Sequence, residues 1–264
     1  MLDLGLCKPV KLEYTLAKSE MPSNLPPMVV MHGLFGSKQN WGSLSKMFAR
    51  RLNRDVYSVD LRNHGESPHA LSHTYTSMAA DIDRFMDDHG IKRATILGHS
   101  MGGKVAMYFA LLTPNPTKIE SLIVEDMSPV EMRLSHDFQN YIVGLREIEN
   151  SNLGSQKSAD QVLQKYEPDI GIRQFLLTNM KRHNGTRYYR SRVPLDTLED
   201  SLEHLGEWQI PKVRDDGSKY QYCGPTLFIN GERSTYINPG LHSQISSFFP
   251  NSQIKSLNTG HWGR

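Results

Sequence analysis

Cysteine is nearly absent from this chain: Cys7 and Cys223 are the only two in 264 residues, far apart and outside any C-x-x-C pair. That excludes a disulfide framework and a zinc knuckle, and makes a reducing compartment the default expectation. Long apolar runs are also missing. None approaches the ~20 residues needed to cross a bilayer, so a soluble protein with no membrane span is expected. An excess of one charge is lacking too, because 30 Lys and Arg against 28 Asp and Glu leave a formal charge of +2. Such a balance gives no basic footprint, and no nucleic-acid partner is expected. There is no internal repeat, no H-E-x-x-H metal motif and no G-x-x-x-x-G-K phosphate loop, so neither a metal nor another cofactor is expected. The first residues contain no apolar signal region, and Asp3 and Glu13 argue against an Arg-rich transit peptide.

What is present is an alternation of short β-branched runs and amphipathic helical patterns, the signature of a mostly parallel sheet covered on both faces. The runs are 28–33, 55–62, 94–100 and 121–128. Between them lie helical patterns carrying Trp41, Leu44 and Phe48, then Met78, Ile82, Phe85 and Met86, then a third from Gly102 to about Leu112. After Asp126 only helical periodicity is read. Phe138, Tyr141, Ile142, Leu145 and Ile148 form one stripe, Ser158 to Gln161 has capping-box spacing, and Leu195, Leu198, Leu202 and Leu205 form a stripe ending at Gly206. Strand signals resume at 225–231 and 253–258, around a helical piece with Leu241, Ile245 and Phe248. The expectation is one α/β core from 1–126 and 211–264, interrupted by a helical cap at 127–210.

Gly98, His99, Ser100, Met101 and Gly102 spell G-x-S-x-G, directly after an apolar strand and before a helix. A serine on so tight a turn needs small flanking residues, because its strained backbone lifts Oγ clear of the sheet. The helix behind it supplies N–H groups for a developing oxyanion, beginning with Met101.

With His32 and Gly33, the stretch 60–67 (DLRNHGES), the GHSMGG elbow, and Gly260 with His261, the chain resembles the α/β-hydrolase superfamily. HGLFGSKQNW (32–41), VEDMSPVE (124–131) and TGHW (259–262) are similar to the subgroup of bacterial short-acyl esterases, a mitochondrial hydrolase of animals and the fungal ethanol acetyltransferases. The resemblance implies a second oxyanion donor at Leu34 and a general base at His261, which follows Ser100 as that fold orders them. It also implies a final helix after His261; only three residues remain there, so the helix is expected to be missing and the His261 loop weakly held. His32, His64 and His99 sit in motifs on the wrong segments for a base and read as structural hydrogen-bonders. His32 and His99 also stand, with Phe35, as substrate contacts, and Leu34, Phe35 and Met101 as walls of a small acyl pocket. His69, His73, His89, His136, His183, His204 and His242 read as solvated.

Two places compete for the acid. FINGERSTYI (228–237) offers Glu232 where many hydrolases carry an Asp, and SLIVEDMS (121–128) offers Glu125 and Asp126 one strand earlier. Strand alternation lets only one of the latter pair face the site. The resembled subgroup selects Asp126, with Glu232 the runner-up and Glu125 a neighbour without an assigned role. Together these imply a serine esterase or thioesterase acting on short acyl esters or thioesters through an acyl-serine, with water or a short alcohol as acceptor. The alternatives are acetyl transfer from acetyl-CoA to ethanol and a non-catalytic binding protein of the same fold. For CoA, the basic run Lys181, Arg182, His183, Arg187, Arg190 and Arg192 is the candidate, against its reading as a solvated face. The resemblance implies a mitochondrial location, with the cytoplasm as the alternative.

Overall fold

The computed structural model describes residues 3–132, 134, 136–182 and 186–261. The apolar runs form strands where the sequence places them. After β1 (Tyr14–Ala17), β2 (Met28–Met31) leads to α1 (Gly42–Leu52), β3 (Val56–Val59) to α2 (Tyr75–Asp88), β4 (Ala94–His99) to α3 (Met101–Leu112), and then comes β5 (Ile119–Glu125). The sheet resumes with β8 (Thr226–Gly231), α8 (His242–Phe248) and β9 (Ser252–Leu257), below an insertion whose own strands take the labels β6 and β7. The seven strands lie in the order β1-β3-β2-β4-β5-β8-β9, all parallel except β1, which runs antiparallel to β3. A doubly covered central strand must be apolar on both faces, and all four residues of β2 are buried accordingly. Helix α3 is buried at every residue but Leu112, which is why its sequence shows no polar face.

The insertion departs from a purely helical reading. It contains α4 (His136–Asn150), α5 (Gln156–Leu163), α6 (Ile170–Leu177) and α7 (Leu195–Gly206), but also a hairpin of β6 (Met180–Arg182) with β7 (Tyr189–Ser191). Three-residue strands rich in charge leave too little alternation to read. The cap of α5 is Ser155, whose side chain accepts the Ser158 N–H, so the helix begins three residues before the S-x-x-Q spacing suggested. Strand β1 escaped the sequence reading because its exposed edge carries no consistent alternation.

The insertion is tied down through its last helix. The ammonium of Lys104, on α3, donates to the carbonyls of Leu205, Gly206 and Glu207 at 3.4, 3.1 and 2.9 Å, and the Tyr75 hydroxyl donates to Leu205 as well. A cation thus meets the free carbonyls at the α7 C-terminus. Burial pushes the Lys104 pKa down to about 8.

Candidate active site

Five neighbouring strands, β2, β4, β5, β8 and β9, release their carboxyl ends at one edge, and the predicted site residues lie on the turns that follow. Ser100 directly follows β4 with φ 53° and ψ −117°, the strained conformation expected of the elbow. The turn closes only because Gly98 lacks a side chain: a Cβ there would lie 2.1 Å from the Gly102 carbonyl oxygen. Ser100 is 8% exposed, and its N–H donates to the Glu125 carbonyl at 2.9 Å, fastening the turn to β5.

Asp126 directly follows β5 and has φ 50°. The alternation argument therefore does not apply at this residue, and both acids reach the site: Asp126 through its bond to His261, Glu125 as part of the cavity wall. His261 Nδ1 lies 2.6 Å from Asp126 Oδ2, and Nε2 lies 3.0 Å from Ser100 Oγ. Burial opposes the charge on Asp126, but hydrogen bonds from His261, the Ser234 hydroxyl and the Gly231 N–H outweigh it and hold the carboxyl below its ordinary range. Glu125 goes the other way, raised by burial and by Asp126 beside it. Glu232 does not meet His261: its side chain is exposed, while its N–H continues the ladder to Leu257.

The loop after β2 lies against the serine. Phe35 has φ 61° and its N–H donates inward to His64 Nε2 at 3.2 Å. Among the described residues, the amides of Leu34 and Met101 donate to no protein acceptor, which leaves both for an oxyanion. The DLRNHGES stretch braces this loop. His64 Nδ1 donates to the Arg62 carbonyl, and the Asp60 carboxylate accepts the Lys38 and Glu66 N–H groups and pairs with the buried Lys38 ammonium.

The substrate contacts assigned from sequence divide. Leu34, His32 and His99 line the cavity, but Phe35 and Met101 do not. Phe35 is wholly buried and packs on Phe138 and Tyr141, and the Met101 side chain lies in the core. Both positions are apolar because they face inward. His32 spends both ring nitrogens on the backbone, one on the Gly33 carbonyl of its own loop and one on the Leu61 N–H after β3. His99 Nε2 meets the His261 carbonyl at 2.9 Å, and burial lowers its pKa to about 4, so it stays neutral. His73, read as solvated, is instead buried against Asn63. His69 stands four residues earlier, but it is exposed and bonds the Arg192 carbonyl, so the two share no site.

The cavity has a volume of about 600 Å³. Ser100 and His261 share its lining with Leu34, Trp41 and Leu44 and with Phe138, Ile172 and Phe175 of the insertion. No described member of the basic run lines it. Arg190 is spent on the Glu149 and Tyr189 carbonyls and Asn152, and Arg192 approaches Glu66 at 4.0 Å. His183 of that run, and Trp262 beside His261, lie outside the described residues.

The sheet order, the strained serine turn and the residues gathered at the strand ends define an α/β-hydrolase. The chain belongs to that family, whose alpha/beta hydrolase fold profile matches residues 26–263. It is 38% identical to an sn-1-specific diacylglycerol lipase of Mus musculus, over 97% of this chain and 80% of that one. It is 32% identical to a probable alcohol acetyltransferase of Saccharomyces cerevisiae, over 96% and 79%. Among solved structures, a marine microorganism esterase superposes with a TM-score of 0.85 at 31% identity, covering 96% of this chain and 93% of that one.

The sequence reading missed the loop after β8 as a source of contacts. Gly231 and Ser234 hold Asp126, and Tyr236 lies on His261. The signal is present in FINGERSTYI, where Ser234 and Tyr236 follow Gly231 on the same loop.

Proposed function

We propose that the protein is a serine esterase or thioesterase that acts on short acyl esters or thioesters through an acyl-Ser100 intermediate. The observation that carries this reading is the Ser100–His261–Asp126 chain of hydrogen bonds, at 3.0 and 2.6 Å. With Asp126 ionised, Nδ1 of His261 keeps its proton and Nε2 offers its lone pair to the Ser100 hydroxyl. Oγ attacks the acyl carbonyl as Nε2 takes the proton, and the oxyanion that forms accepts from the Leu34 and Met101 amides, each worth about 3 kcal/mol of barrier. Collapse expels the alcohol or thiol, which leaves with the proton from Nε2. Water then enters, gives its proton to Nε2 and releases the acid; an alcohol in its place releases a new ester.

Similarity to a lipase, an alcohol acetyltransferase and an esterase supports acyl chemistry and leaves the acceptor open. The second reading, acetyl transfer from acetyl-CoA to ethanol, is favoured by the similarity to acetyltransferases. We assign the choice of acceptor to the 127–210 cap, because Phe138, Ile172 and Phe175 line the same cavity as Ser100. The test is to offer p-nitrophenyl acetate and acetyl-CoA with and without ethanol, and to measure free acid against ethyl ester. Labelling by a fluorophosphonate, abolished in Ser100→Ala, is the expected result. A folded wild type that is neither labelled nor active would instead indicate the non-catalytic binder.

A further inference from the structure

Loop 231–236 carries no acid into the site, yet it touches both partners of Ser100. The Gly231 N–H donates to Asp126 Oδ1 at 3.1 Å, and the Ser234 hydroxyl bonds the same carboxylate. Ser234 Oγ also accepts the Tyr236 N–H at 3.3 Å, and the Tyr236 carbonyl accepts the Ser128 hydroxyl at 2.7 Å. The backbone of Tyr236 is therefore fixed to the segment that carries the acid. Its ring lies on the His261 imidazole, with centroids 4.1 Å apart and planes inclined by 27°. Gly231 permits this approach, since a Cβ there would stand 3.0 Å from the Thr259 carbonyl oxygen and push the histidine loop away.

We propose that Tyr236 is a positioning residue that holds the His261 imidazole in register with Ser100 and stabilises its charged form. The inference rests on reading His261 as the general base. Asp126 and Ser100 engage the two ring nitrogens of His261 along its edge, and the stacked Tyr236 ring supports its face, resisting a tilt that would carry Nε2 away from Oγ. The phenol face is also the negative pole of the ring quadrupole, and imidazolium exists only while His261 holds the proton in transit. The attraction is therefore stronger in the transition state than in the resting enzyme, which is what accelerates a reaction. His99 does not duplicate it: its ring is 5.1 Å from His261 and its hydrogen bond goes to the backbone.

The experiment compares Tyr236→Phe, which keeps the ring, with Tyr236→Leu, which fills space without it. Each is assayed on p-nitrophenyl butyrate and ethyl butyrate. p-Nitrophenolate departs without a proton, whereas ethoxide must take one from the imidazolium. Tyr236→Leu is expected to lower kcat on both esters, and about tenfold more on the ethyl ester, with KM changed less than twofold. Tyr236→Phe should stay within about twofold of the wild type on both. The ethyl-to-aryl ratio is read within one preparation, so a partly unfolded variant does not distort it. An unchanged ratio in Tyr236→Leu, or an equal loss in Tyr236→Phe, overturns the assignment while the base reading stands. A wild type without esterase activity or fluorophosphonate labelling overturns the base reading and takes this inference with it.

Discussion

Asp126→Asn removes a charge with almost no change of shape, and the surrounding hydrogen bonds dictate how the amide must sit. The Gly231 N–H donates to Oδ1, so the amide oxygen belongs there and the NH2 takes the place of Oδ2, 2.6 Å from His261 Nδ1. An NH2 facing Nδ1 can only donate. Nδ1 must then give up its proton, which moves to Nε2, and Nε2 turns its N–H toward Ser100 Oγ instead of a lone pair. The base is thereby held in the wrong tautomer. In a serine protease the same exchange costs about 10⁴ in kcat, or roughly 5.5 kcal/mol of barrier. A similar loss is expected here in kcat for p-nitrophenyl acetate, with KM moved by less than about threefold. Glu232→Gln is the control and should keep at least half of wild-type activity. If Asp126→Asn retains more than a tenth of the activity, or Glu232→Gln loses as much, the assignment of the acid is refuted.

Other perturbations follow from the same contacts. Lys104→Met leaves the Glu207 carbonyl without its donor, while Leu205 keeps the Tyr75 hydroxyl and Gly206 the Met132 N–H, and should cost about 1–3 kcal/mol by urea unfolding at pH 7. The folded pKa of about 8 lies below the ordinary 10.5, so the folded state binds fewer protons between these values. The wild type should gain about 3 kcal/mol over that window as pH rises, a gain absent in Lys104→Met. Glu125 is raised above its ordinary 4.5, so the folded state holds its proton longer and loses stability as pH climbs through the folded value. Glu125→Gln should therefore raise Tm at pH 7, with the advantage gone below pH 4.5. His64→Ala orphans the Phe35 N–H that shapes the oxyanion loop, and about a tenfold fall in kcat with little change in KM would be its mark in steady-state kinetics.

Much of the fold was legible because its cause is local. Central parallel strands are apolar on both faces, so 28–33, 94–100 and 121–128 announce themselves, and the G-x-S-x-G turn is readable because steric demand leaves few residues that fit it. What stayed hidden depends on contacts between distant segments. Phe35 and Met101 look like pocket walls from their neighbours in sequence, and only packing against Phe138, Tyr141 and the core shows that they face inward. The β6–β7 hairpin is too short and too charged to show alternation. The acid is the sharpest case. Alternation holds only while the chain remains a strand, and β5 ends at Glu125, so the positive φ of Asp126 frees its side chain from that rule. One residue past a strand end, a side chain can be aimed independently of the pleat. The same freedom at Ser100, one residue past β4, explains why an edge of parallel strands suits this arrangement: neighbouring strand ends supply the spacing, and the strained residues just beyond them supply the aim.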